Sequence, residues 1–175
     1  MPSIVRLASA LFFVAAVSVA QEGSRSQAVV VDPKGSLTLK ASEVVGEDGV
    51  HLVFFSDRED ANWKMIQPGE TRLMLMLHMS VGAGTHSVGG FEVAELEALF
   101  DMGKGEPEHA ITAYLVTNTG DEAVRFKLNK AEQRCFAHAG AVTVHGEPQF
   151  KRALSADFAF VFDDRQVAGH VRFSK

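Results

Sequence analysis

The chain has 175 residues, a formal net charge of −5 at pH 7 and one cysteine, Cys135. This length suits a single domain that can bury a hydrophobic core. A mildly acidic chain without a lysine and arginine cluster is a poor partner for nucleic acid or an anionic membrane surface, and a lone cysteine excludes an intramolecular disulfide. We expect the Cys135 thiol to be buried and inert, with a reactive thiol or a disulfide-linked dimer as alternatives.

Residues 1–20 have the pattern of a secretory signal peptide. One positive charge precedes a short apolar run, and the small residues Ser18 and Ala20 form the cleavage site. We therefore expect cleavage after Ala20, a secreted or periplasmic location, one domain over residues 21–175, and no membrane span after cleavage. An uncleaved N-terminal anchor is the alternative, which the shortness of the apolar run disfavours.

The next segments carry strand patterns. Residues 28–31 are apolar and end at a turn signal, Asp-Pro-Lys-Gly. Residues 37–42 alternate as a half-buried strand does, whereas residues 50–55 are apolar on both sides, as in a central strand. Ser56 and Glu59 have the spacing of a capping box, which predicts a short helix from residue 57 to about residue 66.

Residues 71–81 alternate strictly between two sides. Leu73, Leu75, Leu77, Met79 and Val81 form a core side, and Arg72, Met74, Met76, His78 and Ser80 form the other. A solvated side would carry Thr, Lys or Glu rather than two methionines and a histidine. Either a second layer of the protein covers this side, or its methionine and histidine side chains bind a ligand.

The segment after this strand is rich in glycine. We expect residues 82–90 to form a flexible loop of the kind that often carries function on a rigid sheet. A second short helix is predicted over residues 92–101, which are rich in Ala, Glu and Leu. Strands are predicted over residues 111–118 and 124–128, which a turn joins as a hairpin, and again around Val142.

The C-terminal hairpin has the clearest pattern. Leu154, Ala156, Phe158, Phe160 and Phe162 share one face before the turn, and Val167, Gly169, Val171 and Phe173 share it afterwards. The predicted register places Phe162 opposite Val167, Phe158 opposite Val171, and Asp157 opposite Arg172 on the outer face.

Short strands at regular spacing, with turn signals between them and few helices, predict a mainly β fold. We expect an antiparallel β-sandwich of the Ig-like or jelly-roll type with one or two short helices, and an up-and-down β-barrel is the alternative.

The methionine and histidine side chains of residues 71–81 suggest copper as a cofactor. Thioether plus imidazole suits Cu(I). Same-face neighbours on a strand lie ~6.6 Å apart, so Met74 and His78 lie ~13 Å apart and cannot share one ion with Met76 unless the strand bulges. Two neighbours with a residue from elsewhere, such as His86, could bind one. Alternatively, Met74 and Met76 are core residues under a second layer, with His78 at the rim.

Two segments resemble parts of a known family. QPGETRLMLM at residues 67–76 and AYLVTNTGDEA at residues 113–123 look like segments of the small periplasmic copper chaperones. The resemblance implies a β-sandwich. In that family the Asn-Thr-Gly segment comes first, whereas here the order is reversed, and the family's spaced His-x-Met is absent. We therefore assign no membership and carry over no binding residue.

Motifs of nucleophilic catalysis are missing from the sequence. It contains no Gly-x-Ser-x-Gly, and its glycine-rich segment lacks the Gly-Lys-Ser/Thr ending of a P-loop. Cys135 and His138 are close in sequence, but catalytic pairs meet through the fold. No catalytic residue is assigned, and the pattern disfavours an enzyme.

Three functions follow from these patterns. The favoured one is a non-catalytic extracytoplasmic β-domain that binds an unknown small ligand or protein partner. Its predicted ligand-binding residues are Met76, His78, His86 and Ser87. The first alternative is a periplasmic Cu(I)-binding protein with Met74, Met76, His78 and His86 as ligands. The second is a small secreted hydrolase, which needs at least two of His78, His86, Ser87 and Cys135 to converge in one pocket.

Overall fold

A computed structural model describes residues 26–47, 50–62, 64–78, 80–89, 111–125, 132–146 and 153–174. These residues form eleven strands and one short 3₁₀ turn, Gln133–Cys135. The strands are β1 (Gln27–Asp32), β2 (Gly35–Glu47), β3 (Val50–Ser56), β4 (Met65–Ile66), β5 (Thr71–His78), β6 (Gly84–Gly89), β7 (Ile111–Thr117), β8 (Val124–Arg125), β9 (Ala139–Val144), β10 (Ala153–Val161) and β11 (Gln166–Ser174).

Nine of these strands form one antiparallel sheet in the order β6-β9-β10-β11-β1-β2-β3-β5-β7. The sheet curls until its two edge strands, β6 and β7, lie near each other, so that it is nearly barrel-shaped. The short strands β4 and β8 pair separately. The prediction of a mainly β fold of sandwich or barrel type, with few helices, is confirmed.

The main core fills the inner face of the curved sheet. Every second residue of β5 points into it, beginning with Leu73, as the alternation predicts. Aromatic side chains from distant strands meet there, and the Phe55 and Phe158 rings pack edge to face with centroids 5.4 Å apart. All residues of β3 and β5 are buried on both faces. These two strands are therefore the centre of the fold.

The C-terminal hairpin has its predicted faces but not its predicted register. Phe158 lies opposite Gly169, and Phe160 lies opposite Val167, a shift of two residues that keeps every side chain on its face. In the observed register, the backbone of Gly169 lies close to the Phe158 ring and to the backbone of β1. A Cβ atom at Gly169 would lie 2.6 Å from the Phe158 ring and 2.5 Å from the Gln27 carbonyl oxygen, so glycine is needed there.

The predicted charge pair on this hairpin forms diagonally rather than directly across. Asp157 lies opposite His170, yet its Oδ1 accepts a hydrogen bond from Arg172 Nη2 at 3.0 Å. Its Oδ2 lies 2.6 Å from Nε2 of His145. Burial raises the pKa of the Asp157 carboxyl, but the hydrogen bonds from His145 and Arg172 outweigh burial and hold the pKa below its usual value.

Two predicted local elements are wrong. No helix forms over the described part of residues 57–66, because Ser56 Oγ donates to the buried Glu70 and Asn62 Oδ1 accepts from the backbone of a tight turn. The predicted hairpin between residues 111–118 and 124–128 is also wrong in its described part, because Val124 pairs with Ile66 of β4 and not with β7. The predicted helix over residues 92–101, the rest of the strand at 126–128 and the predicted signal peptide lie outside the described residues.

Within the described ranges, no helix is long and apolar enough to cross a membrane.

Candidate functional site: a cleft beside β7

A cleft of about 700 Å³ opens where three parts of the chain meet. Its walls are the second half of β7 with the loop after it, the 3₁₀ turn, and the turn between β10 and β11. The lining residues are Tyr114, Leu115, Val116, Thr117, Asn118, Thr119, Gly120, Val124, Glu132, Arg134, Cys135, Phe162, Asp163, Asp164 and Arg165. Because these segments are far apart in the chain, only the folded sheet creates the cleft.

Arg165 ties two walls of the cleft together. It lies in the turn between β10 and β11, and its Nη1 donates to Thr117 Oγ1 of β7 at 3.1 Å. Thr117 Oγ1 in turn lies 3.0 Å from Thr71 Oγ1 of β5. The Phe162 N–H donates to the Arg165 carbonyl at 2.9 Å, which closes the turn. The cleft is therefore framed by strands and a braced turn.

The 3₁₀ turn brings a thiol to the cleft. Phe136, next to Cys135, packs its ring edge to face on Tyr114 of β7 with centroids 5.0 Å apart. The Ala137 N–H donates to the Ala113 carbonyl at 2.9 Å, which fixes the turn to the edge of β7. Burial raises the pKa of the half-buried Cys135 thiol and, together with Cys135, raises the pKa of Tyr114. Both groups are uncharged at neutral pH.

The rim of the cleft carries both signs of charge. Arg134 Nε lies 2.6 Å from Glu132 Oε2, and Arg165 Nε lies 3.3 Å from Asp164 Oδ1. Asp163 adds a further carboxylate, and Val124 adds an exposed apolar side chain. Such a lining suits a small molecule with an apolar part and polar ends, either neutral or zwitterionic.

The structure buries the predicted methionine and histidine side chains. Met74, Met76 and His78 are 1%, 0% and 6% exposed. They lie on the outer face of β5, away from the main core, and their partners on β3 are the buried Phe54, Leu52 and Val50 respectively. A cover over this face is one of the two outcomes that the alternation predicts. The three residues are not part of the cleft lining.

The glycine-rich segment is a strand rather than the predicted loop. Residues 84–89 form β6, an edge strand that pairs with β9. His86 lies opposite the buried Val142 and therefore on the inner face, and its Nε2 donates to the Gly82 carbonyl at 2.9 Å. Ser87 is exposed on the outer face. His86 and His78 thus lie on opposite faces of the sheet.

A hydrolase requires at least two of His78, His86, Ser87 and Cys135 to meet in one pocket, and only one of the four lines the cleft. Cys135 lines the cleft, His78 lies on the outer face of β5, and His86 and Ser87 lie on opposite faces of β6. In the part of the chain that the structure describes, no three His, Cys, Asp or Glu side chains are placed to hold a metal ion.

One buried polar network was not foreseen. Glu70 and Arg72 form an ion pair in which both side chains are almost fully buried. Asn118 lies beside this ion pair. Its backbone N–H donates to the Glu70 carbonyl at 2.9 Å, and its side-chain amide donates to the Ile66 carbonyl at 3.0 Å. This network joins the two segments that resemble the copper chaperones. The only sequence signal for it is polar residues at the ends of apolar strands.

No protein-family model, curated protein or solved structure matches this chain.

Proposed function

We propose that this protein is a non-catalytic extracytoplasmic binding domain whose small-molecule ligand occupies the cleft beside β7. The cleft volume of about 700 Å³ carries the proposal, since it falls within the ~300–1,000 Å³ that is common for ligand pockets. The signal-peptide pattern of residues 1–20 supports the extracytoplasmic location.

The frame of the cleft favours a preformed site. Arg165 is held by Thr117 and Asp164, so little side-chain freedom is lost when a ligand contacts it. Cys135 and Tyr114 are both protonated and can donate or accept hydrogen bonds as neutral groups. These features support binding rather than covalent chemistry, because a thiol with a raised pKa is a weak nucleophile.

Charge narrows the class of ligand. Three carboxylates and two guanidiniums line the cleft, and each guanidinium already has a carboxylate partner. A polyanion such as a nucleotide would find no surplus of positive charge. A neutral or zwitterionic molecule with an apolar part would satisfy both the charged rim and the apolar side chains of Val116 and Val124.

Blocking the cleft tests the proposal. Ligand-observed NMR with a library of small amphipathic fragments should find compounds that bind chain 21–175 and raise its Tm. Val124→Trp fills the cleft from an exposed position and should weaken these compounds at least about tenfold without lowering stability. Leu37→Trp is the matched control, because Leu37 is also an exposed large apolar residue but lies on β2.

Two results would contradict the proposal. One is a screen in which no fragment binds. The other is a set of fragments that bind wild type and Val124→Trp with equal affinity.

A further inference from the structure

The edge of β7 beside the cleft has backbone groups that point away from the rest of the sheet. β7 is the last strand of the described sheet, and β5 is its neighbour on the other side. The Asn118 N–H points toward the start of β5, because it donates to the Glu70 carbonyl at 2.9 Å. Backbone groups of successive strand residues point to opposite sides. The N–H and the carbonyl of the preceding Thr117 therefore point to the free edge.

The same edge already pairs with an extended segment a few residues earlier. The Ala113 carbonyl, which points the same way as that of Thr117, accepts the Ala137 N–H at 2.9 Å, and Tyr114 and Phe136 form an antiparallel bridge. Phe136 is extended, but the residues before it form the 3₁₀ turn, in which the chain is no longer extended. Within the described residues, no backbone group pairs with Thr117 on this side. The edge thus accepts an extended chain at Ala113 and is open at Thr117.

The cleft runs along this edge rather than over one face of the sheet. Its lining includes every residue from 114 to 120. Leu115 belongs to the main core, so alternation places Leu115 and Thr117 on the inner face and Tyr114 and Val116 on the outer face. A cavity lined by both faces of one strand lies beside that strand. The open backbone groups of Thr117 therefore border the cleft.

From this arrangement we propose that the ligand of the cleft is a short peptide in an extended conformation, which adds to the edge of β7 as a further strand. This inference rests on the proposed function of the cleft. The bound residue opposite Thr117 exchanges both backbone hydrogen bonds with it, as in an antiparallel pair. Strand addition draws its affinity from such main-chain bonds, and pockets for alternate side chains supply specificity.

The rest of the lining suits a peptide. The exposed Val124 and the half-buried Val116 offer apolar contacts to a peptide side chain. The rim carries guanidiniums as well as carboxylates, so it can receive both the carboxylate and the ammonium group of a peptide with free ends.

A scan of N-methylated peptides tests the strand addition on the wild-type protein. The probe is a mixture of tetrapeptides with free termini and apolar central residues, titrated into ¹⁵N-labelled chain 21–175. Peptides that bind should shift the Thr117 amide resonance. N-methylation of the one peptide amide that donates to the Thr117 carbonyl should weaken binding at least about tenfold, because it leaves that carbonyl unpaired. Methylation of the next amide is the matched control and should weaken binding little, since that amide points away from β7.

A pair of variants tests the same contact from the side of the protein. Thr117→Pro removes the N–H at an edge position, where proline is compatible with a strand. Thr117→Val removes the hydroxyl that accepts from Arg165 but keeps the N–H. The proline variant should bind the tetrapeptides at least about tenfold more weakly than the valine variant. If the proline variant does not fold, the N-methyl scan decides the matter.

Three results would overturn the strand addition. They are a library in which no tetrapeptide binds, bound peptides that leave the Thr117 amide unshifted, and equal losses on methylation of successive amides. Fragments that bind wild type but not Val124→Trp, without any peptide binding, would remove the peptide and leave the proposed function standing. If neither fragments nor peptides bind, both are refuted.

Discussion

Breaking the Glu70–Arg72 pair should destabilise the protein severely. Glu70 Oε1 accepts from Arg72 Nε at 3.0 Å and from Ser56 Oγ at 2.8 Å, and Oε2 accepts from the Gln67 N–H at 2.7 Å. The Arg72 and Glu70 side chains are 2% and 0% exposed. Glu70→Leu therefore leaves a buried guanidinium whose remaining bond is to the Met65 carbonyl.

The size of the loss follows from this burial. Removing one partner of a buried ion pair costs about 3–5 kcal/mol, which is a large share of the ~5–15 kcal/mol of a typical domain. Arg72→Met should cost as much, since it leaves the Glu70 carboxylate buried. The double variant Glu70→Leu/Arg72→Met should cost less than either single one, because no charge then remains buried.

Urea unfolding measures these losses in the free energy of unfolding, provided that the m-value stays constant. The wild type, the two single variants and the double variant together form a double-mutant cycle. Lys40→Ala is the control. It breaks an ion pair with Glu59 in which the side chains are 63% and 84% exposed, and it should leave the midpoint unchanged. Single losses below about 1 kcal/mol, or a double loss equal to their sum, would refute the reasoning.

Three further predictions follow from the structure. Gly169→Ala should lower stability by about 1–3 kcal/mol, because its Cβ would collide with the Phe158 ring; an unchanged Tm would contradict the close approach. The pKa of the Asp157 carboxyl is lower in the folded state than in the unfolded state. The ionised carboxylate therefore stabilises the fold above the unfolded-state pKa of ~3.9, and this stabilisation is lost as pH falls through the folded-state pKa. The difference in urea midpoint between wild type and Asp157→Asn should therefore shrink between pH 7 and pH 3, and a difference that stays constant would contradict this prediction. The raised pKa of Cys135 predicts slow alkylation by iodoacetamide at pH 7, faster in urea or at higher pH, whereas rapid labelling of the folded chain would show a reactive thiolate.

Alternation was the most informative signal in the sequence. Strict period-two patterning placed β5 and assigned Leu73 and its same-side neighbours to the core. The hairpin faces were predictable for the same reason. Its register was not, because side-chain alternation is unchanged by a shift of two residues. The contact of Phe158 with Gly169 selects between such registers, and only three-dimensional packing reveals it.

Other features depend on distant partners. Strand β6 carries little apolar alternation, and its pairing with β9 comes from backbone hydrogen bonds that any sequence can make. Ser56 has the spacing of a helix cap, yet its hydroxyl donates to Glu70. The cleft joins the 3₁₀ turn to two other segments, so no local motif predicted it.

The pairing of β1 with β11 has a consequence for the timing of folding. β11 is the neighbour of both β1 and β10, and so it joins the two halves of the sheet. During synthesis, which begins at the N-terminus, β1 emerges early, but its partner β11 follows only after almost the whole chain has been made. Contacts of such long sequence separation slow folding. Until β11 docks, β1 and β10 each expose an unpaired edge, a state in which a chaperone would be of most use.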